Sequence, residues 1–132
     1  MSYLLNPTLA HDTLPIGHLN LCELRLMNNQ ELLWLILVPQ RPNVTECFDL
    51  SVDDQNILWA EIKQVSTLLK QHFTCDKLNI AMLGNVVSQL HVHVIARRFD
   101  DVYFPKLPFG LAGTPYSFEV AEPLIQQIRA YL

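Results

Sequence analysis

The sequence predicts an α+β fold, an antiparallel sheet carrying one long helix and a carboxy-terminal helix. Three observations lead there. Two β-rich runs flank Asn28-Asn29-Gln30, a single amphipathic stretch fills the middle of the chain, and residues 86–96 alternate in the manner of a strand. The chain has 132 residues, 50% hydrophobic and 17% charged. That fits one domain over residues 1–132, with a core that needs neither metal nor disulfide to fold.

Taken in order, the first strand is expected over residues 19–27, and the second, over residues 32–38, pairs with it as a hairpin. The second run is apolar almost without alternation, which places it centrally with both faces covered. Pro39 and Pro42 end it. Ser51 is a good N-cap, and Asp53 and Asp54 suit the positive end of a helix dipole. The helix should run to about Gln71, burying Ile57, Leu58, Ile62, Val65, Leu68 and Leu69 while Glu61, Lys63 and Lys70 stay in solvent. Leu78, Ile80 and Met82 alternate as a third strand. Gly84-Asn85 then reads as a tight hairpin leading into residues 86–96. Residues 99–117, with three prolines and two glycines, form an ordered loop of a length that usually serves a function. The last helix is expected over residues 122–131, with Pro123 in its first turn and Leu124, Ile125 and Ile128 facing the body.

Nine Lys and Arg against 13 Asp and Glu give a net charge of -4, and no basic stripe extends beyond Arg97-Arg98. A broad nucleic-acid surface is therefore not expected, because duplex binding draws on many phosphate-neutralising cations. A small anion needs only a local pocket of donors. Cys22, Cys47 and Cys75 are an odd, widely spaced set, consistent with a reducing compartment. The start of the chain lacks the basic and apolar character of a secretory signal. The best apolar run, residues 32–39, is too short for a spanning helix of about 20 residues. The expectation is a soluble cytoplasmic protein with no membrane partner.

The chemistry concentrates in Ser88-Gln89-Leu90-His91-Val92-His93-Val94-Ile95. Alternation puts Gln89, His91, His93 and Ile95 on one face and Leu90, Val92 and Val94 on the other. Same-face neighbours on a strand lie roughly 6.6 Å apart, so two imidazoles can address adjacent atoms of one phosphate group. Neutral His91 can attack phosphorus through a ring nitrogen, and His93 can bond or protonate the departing oxygen. The Gly84-Asn85 turn and Ser88 are near enough to offer donors to the other phosphate oxygens. Two other readings stay open: ordinary sheet histidines, or a His-x-His metal site needing a third ligand from His11, His18, His72 or a cysteine. Trp34, Trp59 and Cys22 read first as packing residues, and Arg97 and Arg98 as a solvated strand end.

The segment Gln89-Leu90-His91-Val92-His93-Val94-Ile95 resembles the signature of the histidine triad family, His-φ-His-φ-His-φ-φ with φ apolar, with Gln89 in place of the first histidine. Residues 33–42, the helix start Phe48-Asp49-Leu50-Ser51 and Leu83-Gly84-Asn85 are also similar to that family, in order and spacing. The resemblance covers most of residues 20–98. It implies a homodimeric nucleotide-binding protein that hydrolyses or transfers nucleoside monophosphate groups, from dinucleoside polyphosphates or nucleoside phosphoramidates, with no cofactor. It further implies His91 as the nucleophile forming a covalent nucleotide intermediate and His93 as a contact to the phosphate and leaving group. Asn85 falls near the phosphate-contacting position. Asn28, or Asn29 if the hairpin is short, falls near the ribose-bonding one, and Gln89 stands at the first triad position. A main-chain carbonyl at residue 89 would still orient His91 whatever the side chain. A weakly active or inactive nucleotide-binding regulatory dimer is the alternative the Gln89 departure raises.

Overall fold

The computed structural model describes residues 2–132. Its elements are α1 (Pro7–Asp12), β1 (Thr13–His18), β2 (Cys22–Met27), β3 (Leu33–Pro39), α2 (Val52–His72), β4 (Lys77–Ala81), β5 (Val92–Arg97) and α3 (Phe118–Tyr131). The five strands form one sheet in the order β1-β2-β3-β5-β4, antiparallel at every pairing. The apolar run of β3 sits at the centre of the sheet, as its lack of alternation predicts, and its side chains are buried on both faces.

One face carries α2. Ser51 caps that helix, its hydroxyl accepting from the Asp54 N–H at 3.1 Å. Leu58, Ile62, Val65 and Leu69 then pack on Leu24, Leu35, Leu37, Val92 and Val94. The opposite face of the same strands presents Trp34, Ile36, Val38 and Ile95, covered by Leu9 from α1 and Tyr103 from the loop after β5. α3 packs beside β1, where Arg129 donates through Nε to the Ile16 carbonyl.

Several expectations need correction. α1 and β1 are absent from the sequence reading because Thr13–His18 contains Pro15 and Gly17, residues that weaken a strand assignment. Both are tolerated because β1 is an edge strand whose register shifts between Pro15 and Gly17. Residues 19–21 are the turn into β2, not its start. β5 begins at Val92, not at residue 86, so Gly84-Asn85 is no two-residue hairpin. Residues 82–91 form a connector, Gly84 taking φ +77, and Leu90 donates to the Val44 carbonyl at 2.9 Å instead of joining the ladder. α3 begins at Phe118, which puts Pro123 inside the helix on its exposed side, where its missing N–H leaves a carbonyl to water.

Two charged residues expected in solvent are buried. Glu61 is 4% exposed because its carboxylate accepts both the Leu21 and Cys22 N–H groups at 2.9 Å, closing the β1–β2 turn onto α2. Arg97 is 1% exposed and forms a two-bond pair with Asp101, Nε to Oδ2 at 3.0 Å and Nη2 to Oδ1 at 3.1 Å, while Nη1 reaches Asn79. Asp101 also accepts the N–H groups of Arg98, Tyr103 and Phe104. Burial works to raise the Asp101 pKa, but the Arg97 bonds and these N–H groups outweigh it and hold the carboxyl below its ordinary value.

Glu61→Ala should strand two buried N–H groups, lowering stability by about 3 kcal/mol and the thermal midpoint by roughly 10 °C in a calorimetric scan. The depressed Asp101 contributes stability that is complete above its unfolded pKa of about 3.9 and is lost as pH falls through the lower native value. Unfolding midpoints of Asp101→Asn should accordingly be lower at neutral pH and flatter than wild type below about pH 4.

Candidate active site

The site lies on the sheet face opposite α2, at the entry to β5. His91 stands immediately before that strand and His93 within it, 7% and 5% exposed. Their rings meet edge to face with centroids 4.9 Å apart. The face assignment follows the sequence alternation, with His91, His93 and Ile95 on one side and Leu90, Val92 and Val94 in the α2 core.

Each imidazole has a defined tautomer, because each meets a partner of one polarity. His91 Nδ1 lies 2.6 Å from the main-chain oxygen of Gln89, which can only accept. In the neutral ring the proton is therefore on Nδ1 and the lone pair on Nε2. His93 Nδ1 lies 3.0 Å from the indole Nε1 of Trp34, which can only donate. Its proton is on Nε2. Burial and the adjacent His91 lower the His93 pKa to about 3, so this ring is neutral at neutral pH.

Gln89 itself is turned to the amino-terminal segment. Its side-chain oxygen accepts the Asn6 N–H and its amide nitrogen donates to the Leu4 carbonyl, both at 2.8 Å. Its carbonyl, not its side chain, holds His91. The Gln89 amide thus supplies one donor and one acceptor to the backbone of residues 4–6.

Two cavities lie near the pair, one bordered by Trp34 but by neither His91 nor His93, the other by His91. One, of about 410 Å³, is lined by Asn28, Asn29, Trp34, Pro108, Gly110 and Gly113 among others. The second, of about 300 Å³, is lined by His91 and Gln89 together with Cys47, Phe48, Trp59 and Leu83. Phe109 packs against both Trp34 and His93, with ring centroids 5.4 and 4.9 Å away. The loop of residues 99–117 therefore covers the chain's own site. Tyr103 fastens it by donating to the Ala112 carbonyl at 2.6 Å and accepting from Asn29 Nδ2 at 3.1 Å.

Asn28 and Asn29 reach the same cavity with different freedom. Asn29 is 8% exposed and spends both ends of its amide internally, Nδ2 on Tyr103 and Oδ1 on the Glu31 N–H. A Cβ on Gly113 would fall 2.2 Å from that amide, so the loop closes on it directly. Asn28 accepts the Tyr116 N–H through Oδ1 at 2.8 Å and also lines the cavity. Asn85 is exposed on the connector and lines neither cavity. His11, His18 and His72 lie on other elements, bonded to Asp12, bonded to Gln40 and stacked on Tyr131. Among the described residues no three His, Cys, Asp or Glu side chains gather as a metal-holding cluster. No helix among them is long and apolar enough to cross a membrane.

Trp34 and Phe109 are the site residues that sequence reasoning missed. Trp34 does bury, as a core aromatic should, but it also carries a donor to His93. The clue lies in parity: Trp34, Ile36 and Val38 share one face of β3, and that face is the histidine face once β3 pairs with β5.

Residues 10–100 match the HIT domain. Solved structures agree over nearly the whole chain. A histidine triad protein from Sinorhizobium meliloti 1021 is 42% identical, with 98% of this chain and 97% of that one covered at a TM-score of 0.95. One from Bradyrhizobium japonicum is 39% identical, with 99% and 98% covered at 0.96. Another, from Marinobacter aquaeolei VT8, is 33% identical, with 100% and 97% covered at 0.97. No curated protein is similar enough to match. With the HIT domain spanning residues 10–100 and histidine triad proteins of 33–42% identity matching almost end to end, the chain belongs to the HIT domain family.

Proposed function

We propose that this chain is a nucleotidyl hydrolase or transferase that cleaves nucleoside-phosphate substrates through a covalent intermediate on His91. One observation carries the reading: the Gln89 carbonyl fixes the His91 proton on Nδ1 and leaves an Nε2 lone pair beside a second, neutral imidazole. A ring held in that tautomer attacks phosphorus without first losing a proton. His93 offers its Nε2–H to the phosphate or the departing oxygen. The nucleoside occupies the cavity of about 410 Å³, within the usual range for a small-ligand site, with the Asn28 amide as the donor to its ribose. Asn85, exposed on the connector after the Gly84 turn, is the proposed phosphate contact, and Gln89 acts through its main chain. Candidate substrates are dinucleoside polyphosphates and nucleoside phosphoramidates, and no metal is needed for the chemical step.

Self-association is part of this proposal. β4 is an edge strand. Near it Phe48, Trp59, Met82, Leu83 and Val86 are exposed apolar side chains, a burden that a homodimer interface would relieve.

Wild-type protein should release adenosine monophosphate from diadenosine tetraphosphate or an adenosine phosphoramidate. His91→Ala should lose at least about 10³-fold in kcat while still binding the nucleotide. Nucleotide binding by wild type with no turnover would instead make this a regulatory binder. Sedimentation at micromolar concentration should give a dimer, and a monomer there would remove the self-association reading.

A further inference from the structure

We propose that the Trp34 indole locks His93 as a hydrogen-bond donor that cannot serve as a proton donor, and thereby restricts the site to substrates whose leaving group departs as a phosphate-type oxyanion. This rests on nucleotidyl chemistry at His91 and narrows its substrate class from two bond types to one, the phosphoric anhydride.

The lock is geometric. The indole Nε1–H points at His93 Nδ1 from 3.0 Å, and an indole has no acceptor to offer in return. For His93 to become an acid it must first take a proton on Nδ1, which would set donor against donor in a site where the ring is 5% exposed. Trp34 from β3 and Phe109 from the loop pack on the ring and carry no charge. The titratable group beside it is His91, and a second imidazole further disfavours a cation at His93. Giving up the remaining Nε2 proton would leave an imidazolate. The ring can therefore point a proton at an oxygen but not deliver it.

In the chemical step His91 Nε2 forms a bond to the α-phosphorus as the bond from phosphorus to the departing oxygen breaks, and the electron pair leaves on that oxygen. His93 donates a hydrogen bond to the developing charge and keeps its proton. Water then attacks phosphorus, the nitrogen–phosphorus electron pair returns to His91 Nε2, and the proton released from water passes to solvent. A polyphosphate oxygen leaves well as an anion. The amine of a phosphoramidate must be protonated to leave, and His93 does not supply that proton. Trp34 is accordingly a positioning residue that sets leaving-group specificity through His93.

Two measurements test this. Nitrogen-15 NMR of histidine-labelled wild type should show His93 with Nδ1 unprotonated and Nε2 protonated from about pH 5 to about pH 8. A protonated Nδ1, or titration of the ring within that window, overturns the lock even if the enzyme is active. The second compares kcat/KM for diadenosine tetraphosphate and for an adenosine phosphoramidate in wild type, Trp34→Phe and Trp34→His. Wild type should prefer the anhydride by about 10²-fold, the contribution of a missing general acid. Trp34→Phe or Trp34→His should narrow the preference by about tenfold and move the His93 ionisation upward in the phosphoramidate pH profile, short of the free-imidazole value because burial and His91 remain. Equal use of the two substrates by wild type, or a ratio unchanged in a folded variant, overturns the specificity role. If wild type turns over neither substrate, the hydrolase reading fails and the restriction with it, whereas turnover with His93 protonated on Nδ1 removes the lock alone.

Discussion

The antiparallel pairing of β3 with β5 is the constraint on which the site depends. Ile36 lies opposite His93 and Trp34 opposite Ile95 in that ladder, so the indole sits diagonally across from the imidazole at hydrogen-bond distance. A slip of one residue would send Trp34 to the α2 side and turn the histidine face away from its partners. The apolar content of β3 opposes such a slip, since its side chains are buried on both faces and every one has a packed place.

The two faces of the sheet are covered by different means. α2 closes one through a conventional apolar stripe, and the Glu61 carboxylate adds a polar tie from that helix to the β1–β2 turn. The other face has no long helix. Its cover is a loop, and the buried Arg97–Asp101 pair starts that loop in a fixed direction. Asp101 accepts from three main-chain N–H groups as well as from the guanidinium, so the carboxylate organises the turn and the charge is fully matched. From that anchor the loop carries Tyr103 to Asn29 and Phe109 to His93. Structural polar contacts and the candidate active site are in this way one connected network.

Electrostatically the histidine pair is asymmetric. Both rings are buried and neither meets a carboxylate, and at His93 burial and the neighbouring ring disfavour the cation. One ring is held through a carbonyl and the other through an indole, and the two partners place the protons on opposite nitrogens. The outcome is a lone pair and an N–H presented by neighbouring rings 4.9 Å apart between centroids, an arrangement matched to a phosphorus centre and one of its oxygens.

Much of this was legible in the chain itself, because local patterns report local forces. Period-two alternation placed His91 and His93 on one face, the uninterrupted apolar run put β3 at the centre, and the Ser51 cap with its three-to-four spacing located α2. Those features depend on residues within one element. What only the tertiary structure decided depends on residues far apart in sequence. Glu61 looks like any solvated helix carboxylate until the β1–β2 turn arrives with two unpaired N–H groups, and Arg97 looks like a wet strand end until Asp101 folds back to it. Trp34 reads as plain core until strand register brings its single donor to His93. The Gln89 side chain likewise finds its partners, Asn6 and Leu4, more than eighty residues away. Sequence determined β2, β3, α2 and the shared face of the two histidines because hydrophobic period is written locally. Tertiary packing decided their tautomers and cover, because burial turns a polar group's nearest non-local neighbour into its controlling interaction.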